Sequence, residues 1–236
     1  MKDGTERGLV LVTGASSQIG VFLLPRLVDS AYRVQAVSRQ AAAEPTVLES
    51  GPAWMRPEDA LKPGVQSTES ANWLISAGPP SLASQLVERN PGFHKVVQFT
   101  TTSILTKSQS AHTAERELVG RIARQEDRLK DLCAKHRVPL VILRPTLIYG
   151  CGMDRNVTRL WQLGNRTGFI PVASQSDGLR QPVHADDLAA LAVGALEIET
   201  GSLLESAACG GSTLSYREMA KATAHCCRRK SGVVAL

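Results

Sequence analysis

The first residues able to do chemistry form a glycine turn: Thr13-Gly14-Ala15-Ser16-Ser17-Gln18-Ile19-Gly20. It follows the apolar run 9–12 and opens a helical pattern of Ile19, Phe22, Leu23 and Leu27. A chain that leaves a strand and turns sharply needs a residue such as Gly14, which tolerates conformations closed to a side chain. The backbone can then approach a pyrophosphate, held by helix-start amides and the positive end of the helix dipole. Gly20 lets the helix pack closely. Ser16, Ser17, Gln18 and Ile19 complete the loop, with Ser17 and Gln18 where nucleotide-binding loops often place a middle glycine.

The second apolar run, 33–37, ends in Val37-Ser38-Arg39. An acid about 20 residues past the loop would hold the adenosine ribose hydroxyls of NAD. Ser38 and Arg39 instead suit a 2′-phosphate. The expected cofactor is therefore NADP, with NAD as the alternative.

Positioning this loop requires a sheet of short strands with helical crossovers, and the chain alternates accordingly. Strands are expected at 9–12, 33–37, 73–77, 95–100 and 140–143, with a weak one near Trp54, and helices around 82–89 and 114–136. This is the βαβ rhythm of a doubly wound parallel sheet, a Rossmann-type α/β fold. Pro25 falls inside the first helix, where a kink is expected. Leu118, Ile122, Leu129 and Leu132 share one face of the long helix and are assigned to its core stripe. After Gly150 the texture changes. Residues 151–180 are Gly- and Asn-rich and loop-like, 187–197 is an Ala-rich helix, and Ser215-Tyr216-Arg217-Glu218 is a capping box. The expectation is one domain over 1–236, with a small substrate-side lobe from about 151–181 and 205–236.

Composition narrows the function classes. The chain has 236 residues, 43% apolar and 21% charged, with net charge +5. The charge-rich stretch 115–137 mixes both signs, so it reads as a solvated helix face and no nucleic-acid partner is expected. The five cysteines, Cys133, Cys151, Cys209, Cys226 and Cys227, include no C-x-x-C pair, so neither a disulfide framework nor a metal site is expected. No apolar run reaches about 18 residues, and the polar start is unlike a signal peptide. No membrane partner and a cytoplasmic location are the expectation.

Four stretches together resemble the NAD-dependent epimerase/dehydratase family of the short-chain dehydrogenase/reductase superfamily. They are the Gly14–Gly20 loop, Val97-Gln98-Phe99-Thr100-Thr101-Thr102-Ser103, Leu143-Arg144-Pro145-Thr146-Leu147-Ile148-Tyr149-Gly150, and Arg180-Gln181-Pro182-Val183-His184-Ala185-Asp186-Asp187-Leu188-Ala189. The resemblance implies a Rossmann core with a small C-terminal substrate lobe and a small-molecule substrate, often a nucleotide sugar. It also implies that Ala77, Gly78, Pro79 and Thr100 face the cofactor and that Pro145 and Thr146 lie near the nicotinamide. Thr102 takes the place of the catalytic Ser or Thr, and Asn156 and Arg180 face the substrate.

The family's proton chemistry rests on Tyr-x-x-x-Lys, one helical turn apart on the long helix, where the ammonium lowers the phenol pKa. Ungapped counting back from Arg144-Pro145 puts Leu118 and Ile122 there. Tyr32, Tyr149 and Tyr216 are followed four residues on by Ala36, Met153 and Ala220. His112, just ahead of the helix, is the candidate replacement base beside Thr102. Three readings stay open: an atypical oxidoreductase or epimerase, a non-catalytic NAD(P)-binding sensor or regulator, and an assembly subunit. Each suits a monomer or a homodimer.

Overall fold

The computed structural model describes residues 7–41, 51–65, 68 and 70–235. The first apolar run becomes β1 (Arg7–Thr13), followed by α1 (Gln18–Asp29), β2 (Tyr32–Val37), β3 (Ala53–Met55), α2 (Pro57–Ala60), β4 (Trp73–Ser76) and α3 (Pro80–Arg89). Then come β5 (Lys95–Phe99), α4 (Ser103–Thr106), α5 (Thr113–His136), β6 (Leu140–Pro145) and β7 (Leu147–Tyr149). The chain ends with α6 (Val157–Thr167), β8 (Phe169–Val172), β9 (Leu179–Arg180), β10 (Pro182–His184), α7 (Ala185–Glu197), β11 (Leu203–Ala208), β12 (Leu214–Ser215), α8 (Tyr216–His225) and β13 (Gly232–Ala235).

These elements divide into two units, Met1–Pro145 with Asp186–Ala207, and Thr146–Ala185 with Ala208–Leu236. The first contains a seven-stranded sheet in the order β11-β6-β5-β4-β1-β2-β3. Every neighbouring pair from β3 to β6 is parallel. This is the Rossmann-type α/β arrangement that the alternation implied. Covered on both faces, β5 and β6 are buried along their whole length. On one face Leu11, Leu74, Val96, Leu140 and Ile142 meet Ala83, Leu86 and Val87 of α3 and Leu129 and Cys133 of α5. The alternate residues Val10, Val12, Ile75, Val97 and Val141 point the other way and are equally buried, as are Leu23 and Leu27 of α1 and Leu188 and Ala192 of α7. Arg26 of α1 grips Asp186 of α7 through two 2.7 Å bonds. The buried Lys95 ammonium donates to the Ala195, Leu196 and Ile198 carbonyls at the C-terminal end of α7, where a cation meets the negative end of the helix dipole. α1 runs on past Pro25 to Asp29.

Helix α5 keeps part of its expected core stripe: Leu129 is buried and Leu132 packs against the core. Its buried residues are Val119, Glu126, Leu129 and Cys133, whereas Leu118 is 51% exposed. The inward face includes a charged residue and leaves Leu118 outside it. Glu126 is buried against Arg144 of β6, and Arg144 also reaches Glu205 of β11 at 3.2 Å. Lys130 closes the ring at 3.0 Å from Glu126 and 2.5 Å from Glu205. A hydrophobic pattern does not reveal an ion pair inside the core, so Glu126 was not among the expected core residues.

The second unit corrects the loop-like reading of 151–180, which holds α6, β8 and β9. Leu160, Ile170, Val172, Met219, Ala220 and Ala224 form its core, and β13 runs parallel to β8. Asp154 starts α6 by accepting from the Asn156 and Thr158 amides at 2.9 and 3.0 Å and from the Thr158 hydroxyl. Burial opposes its charge, but these bonds outweigh it and hold the carboxyl below its ordinary 3.8. The Ser215–Glu218 capping box opens α8 as expected. Among the described residues no helix is long and apolar enough to cross a membrane.

Candidate functional site

In the first unit the crevice opens where the strand order reverses. β1 is flanked by β2 and β4, and their onward connections diverge, leaving room beyond the carboxyl ends. A cleft of about 730 Å³ lies there, lined by Gly14, Ser16 and Ser17, by Val37 to Gln40, by Pro57 and Leu61, and by Ala77 to Pro79 with Ser81, Leu82 and Gln85. The expected loop residues Gly14, Ser16 and Ser17, the strand-end pair Ser38 and Arg39, and Ala77, Gly78 and Pro79 are thereby brought to one surface.

The glycines show why the sequence folds this way locally. Gly14 has φ +67°, and a Cβ there would sit 2.5 Å from the Ala77 carbonyl carbon and 2.7 Å from the Gly78 nitrogen. The two turns therefore meet backbone to backbone, with no space for a side chain. A Cβ on Gly20 would lie 2.1 Å from the Ala15 oxygen, so this glycine lets α1 close on the loop itself. Ser17 caps α1 by accepting from the Gly20 amide at 3.2 Å. Among the described residues no backbone acceptor meets the Gln18 and Ile19 amides. Such first-turn donors suit an anion.

Ser38 does something other than expected. It is buried, and its hydroxyl pairs with Ser16 at 2.7 Å while accepting from the Gln40 amide at 3.0 Å. It thus ties the glycine loop to the end of β2. Arg39 is exposed and lines the same cleft.

Three of the six buried polar atoms that lack a partner among the described residues belong to Gln18, Gln98 and Thr100. They lie at the start of α1 and at the carboxyl end of β5. Unsatisfied buried groups are rare and ask for a donor from water or ligand. An open crevice, a turn with no Cβ and free amides fit a dinucleotide.

The residues expected to do chemistry are more dispersed. The Thr102 amide and hydroxyl both point to the Pro145 carbonyl, at 3.1 and 3.2 Å. His112 is exposed ahead of α5, its side chain capping nothing while its carbonyl accepts from the Glu115 and Arg116 amides. Thr146, Asn156 and Arg180 belong to the second unit. The Thr146 hydroxyl bonds to the Gln181 carbonyl, Asn156 is exposed beside Asp154, and Arg180 is exposed and bonds to the Leu179 carbonyl at 2.8 Å. Sequence reasoning missed Gln40, Pro57, Leu61, Ser81, Leu82 and Gln85 in the cleft, because nothing in their spacing marks them. It also missed Gln98, whose signal was a carboxamide amid the apolar Val96, Val97 and Phe99.

The fold and the crevice together define a Rossmann-type α/β protein. The solved structures it is similar to are NAD-dependent epimerases, dehydratases and related proteins. One is UDP-glucose 4-epimerase from Thermotoga maritima with UDP-glucose, with TM-score 0.77 and 13% identity over 97% of this chain and 85% of that one. Another is UDP-N-acetylglucosamine 4-epimerase from Bacillus cereus, with TM-score 0.76 and 12% identity over 98% and 85%. A third is WbmF from Bordetella bronchiseptica in complex with NAD+, with TM-score 0.75 and 17% identity over 98% and 82%. In sequence the chain is 25% identical to a ceramide reductase from Caulobacter vibrioides, over 98% of this chain and 74% of that protein. No protein-family model matches the chain. At these identities the likeness is one of fold.

Proposed function

We propose that the chain binds a nicotinamide dinucleotide in the cleft of its first unit, NADP in preference to NAD, and acts on a small molecule as an atypical epimerase/dehydratase-like oxidoreductase. The observation that carries this reading is the backbone contact between the Gly14 and Ala77-Gly78 turns at the edge of the cleft. The NAD named in the WbmF structure supports it. Gln18 and Ile19 would offer amides to the pyrophosphate. Arg39 would supply a guanidinium for the 2′-phosphate, whose fork suits phosphate oxygens. The role of Ser38 in this reading is to hold the loop, through Ser16.

A bound nicotinamide would supply or accept hydride. Proton transfer falls to this chain's own groups, and Leu118 and Ile122 carry none. Thr102 and His112 are the proposed replacements, with Thr146 and Pro145 toward the nicotinamide and Asn156 and Arg180 toward substrate. A nucleotide sugar is the substrate class supported by the two epimerases. A ceramide-like substrate is supported by the ceramide reductase and by the exposed side chains of Leu105 and Leu118. The exposure of Leu118 also favours a second reading, a non-catalytic dinucleotide-binding sensor in a cytoplasmic setting, because an apolar residue stands where the proton carrier belongs.

Calorimetric titration with NADP, NADPH, NAD and NADH tests the binding. At about 100-fold excess over Kd, ligand should stabilise the fold by roughly 2.7 kcal/mol. Failure of all four to bind sinks both readings. Binding followed by turnover of a UDP-sugar or a ceramide-like ketone, lost in His112→Ala, selects the enzyme; binding without turnover selects the sensor.

A further inference from the structure

We infer that Gln98 is a positioning residue for the dinucleotide cradle, setting the gap between the Gly14 and Gly78 turns from within the sheet; this rests on the reading of the cleft proposed above. Gln98 is completely buried on β5, among apolar neighbours on the same strand. A carboxamide in that position costs free energy unless it is paired. Its Nε2 donates to the Gly78 carbonyl at 3.0 Å and to the Phe99 carbonyl at 2.5 Å, and is 3.3 Å from the Ser76 carbonyl. β4 ends at Ser76, so the Gly78 carbonyl lies beyond the strand and its donor is this side chain. A leucine or valine would suit the surroundings of β5 but would leave that carbonyl without its donor.

Gly78 is no passive neighbour. Its nitrogen lies 2.7 Å from where a Gly14 Cβ would stand, so a shift of the Gly78 turn is passed directly to the phosphate loop. Thr13 and Ser76 pin the same strand ends from the other side through a buried 2.8 Å hydroxyl bond. Gln98 and this pair together hold three adjacent strand ends, β1, β4 and β5, at one spacing. The Gln98 Oε1 has no partner among the described residues, so the side chain is held through its amide end, which bridges the end of β5 and the Gly78 turn.

The test uses the full chain and NADPH fluorescence titration, with thermal melting to report folding. Gln98→Met keeps length and burial but removes the donor. It should melt cooperatively yet bind NADPH about ten-fold more weakly, the worth of one buried hydrogen bond. Gln98→Glu guards against a misfolded methionine variant. A buried carboxyl resists ionisation and donates while neutral, so this variant should bind like wild type at pH 6 and lose about ten-fold at pH 8.5. A merely structural role would lower the melting temperature and leave both the affinity and its pH profile unchanged, which overturns the inference. Wild-type protein that binds no dinucleotide overturns the reading of the cleft and this inference with it; unchanged binding by both variants overturns the inference alone.

Discussion

The phosphate-loop end of the first unit and the open face of α5 are built with equal care and to opposite effect. At the loop, Gly14 at φ +67°, the Ser17 cap and the Ser16–Ser38 tie fix a tight turn at the edge of the cleft. On α5 the scaffold is just as firm, anchored by Glu126, Arg144, Glu205 and Lys130, but its exposed face carries the apolar Leu118. A fold can keep its binding end and its helix geometry while the chemistry between them changes, because the backbone demands are met by different residues from the chemical ones.

The comparison breaks most easily at Gly14. Gly14→Val puts a β-branched residue at positive φ into the Ala77-Gly78 backbone. It should weaken dinucleotide binding by roughly 100-fold or more and cost about 1–3 kcal/mol in strain alone, read by titration and by urea denaturation. On the other side, Glu126→Leu leaves Arg144 in the core with only Glu205. Loss of one partner from a buried pair should cost about 3 kcal/mol, seen as a lower urea midpoint. Loss of binding alongside would mean that the two ends are coupled.

Arg39→Ala sharpens the cofactor side. It should weaken NADP by about ten-fold while sparing NAD, as expected for one charge-assisted contact; equal losses for both would assign Arg39 to the shared pyrophosphate. The smallest expected effect is acid sensitivity of the α5 anchor. Lys130 first, and then Arg144, hold the Glu205 carboxyl below its ordinary 4.5. A depressed carboxyl contributes stability above its unfolded pKa and loses it as pH falls through the folded one. The melting temperature should therefore drop below about pH 4.5, and Glu205→Gln should flatten that part of the profile. Cys133 gives a check on the same helix: burial pushes its thiol up to about 12. It should resist alkylation in the native state while exposed Cys151 and Cys209 react, as mass spectrometry would show.

Much of this architecture was legible in the residues. Strand–helix alternation predicted the parallel sheet because strands covered on both faces read as short apolar runs and the crossover helices carry a 3.6-residue period. The Gly14 loop, the weak strand at Trp54 and the Ser215 capping box were readable for the same local reason. Helix α6 went unread, although Val157, Leu160 and Trp161 carry helical i, i+3, i+4 spacing, because the surrounding stretch is Gly- and Asn-rich and Asp154 supports its start through a turn with no periodic signature. On α5 the buried Leu129 and the core-packed Leu132 were legible, but Glu126 was not, because its burial is offset by Arg144, far away in the chain on β6, and by Lys130.

The sequence by itself determined the fold class, the place of the Gly14 turn and the absence of any Tyr-x-x-x-Lys spacing, for each depends on residue type at short spacing. Tertiary structure alone decided that Ser38 is a loop tie, that Leu118 faces outward, and that Gln98 grips Gly78. Each of those depends on which distant groups a side chain meets once the strands are paired, and hydrogen-bond partners of that kind leave no mark in local sequence.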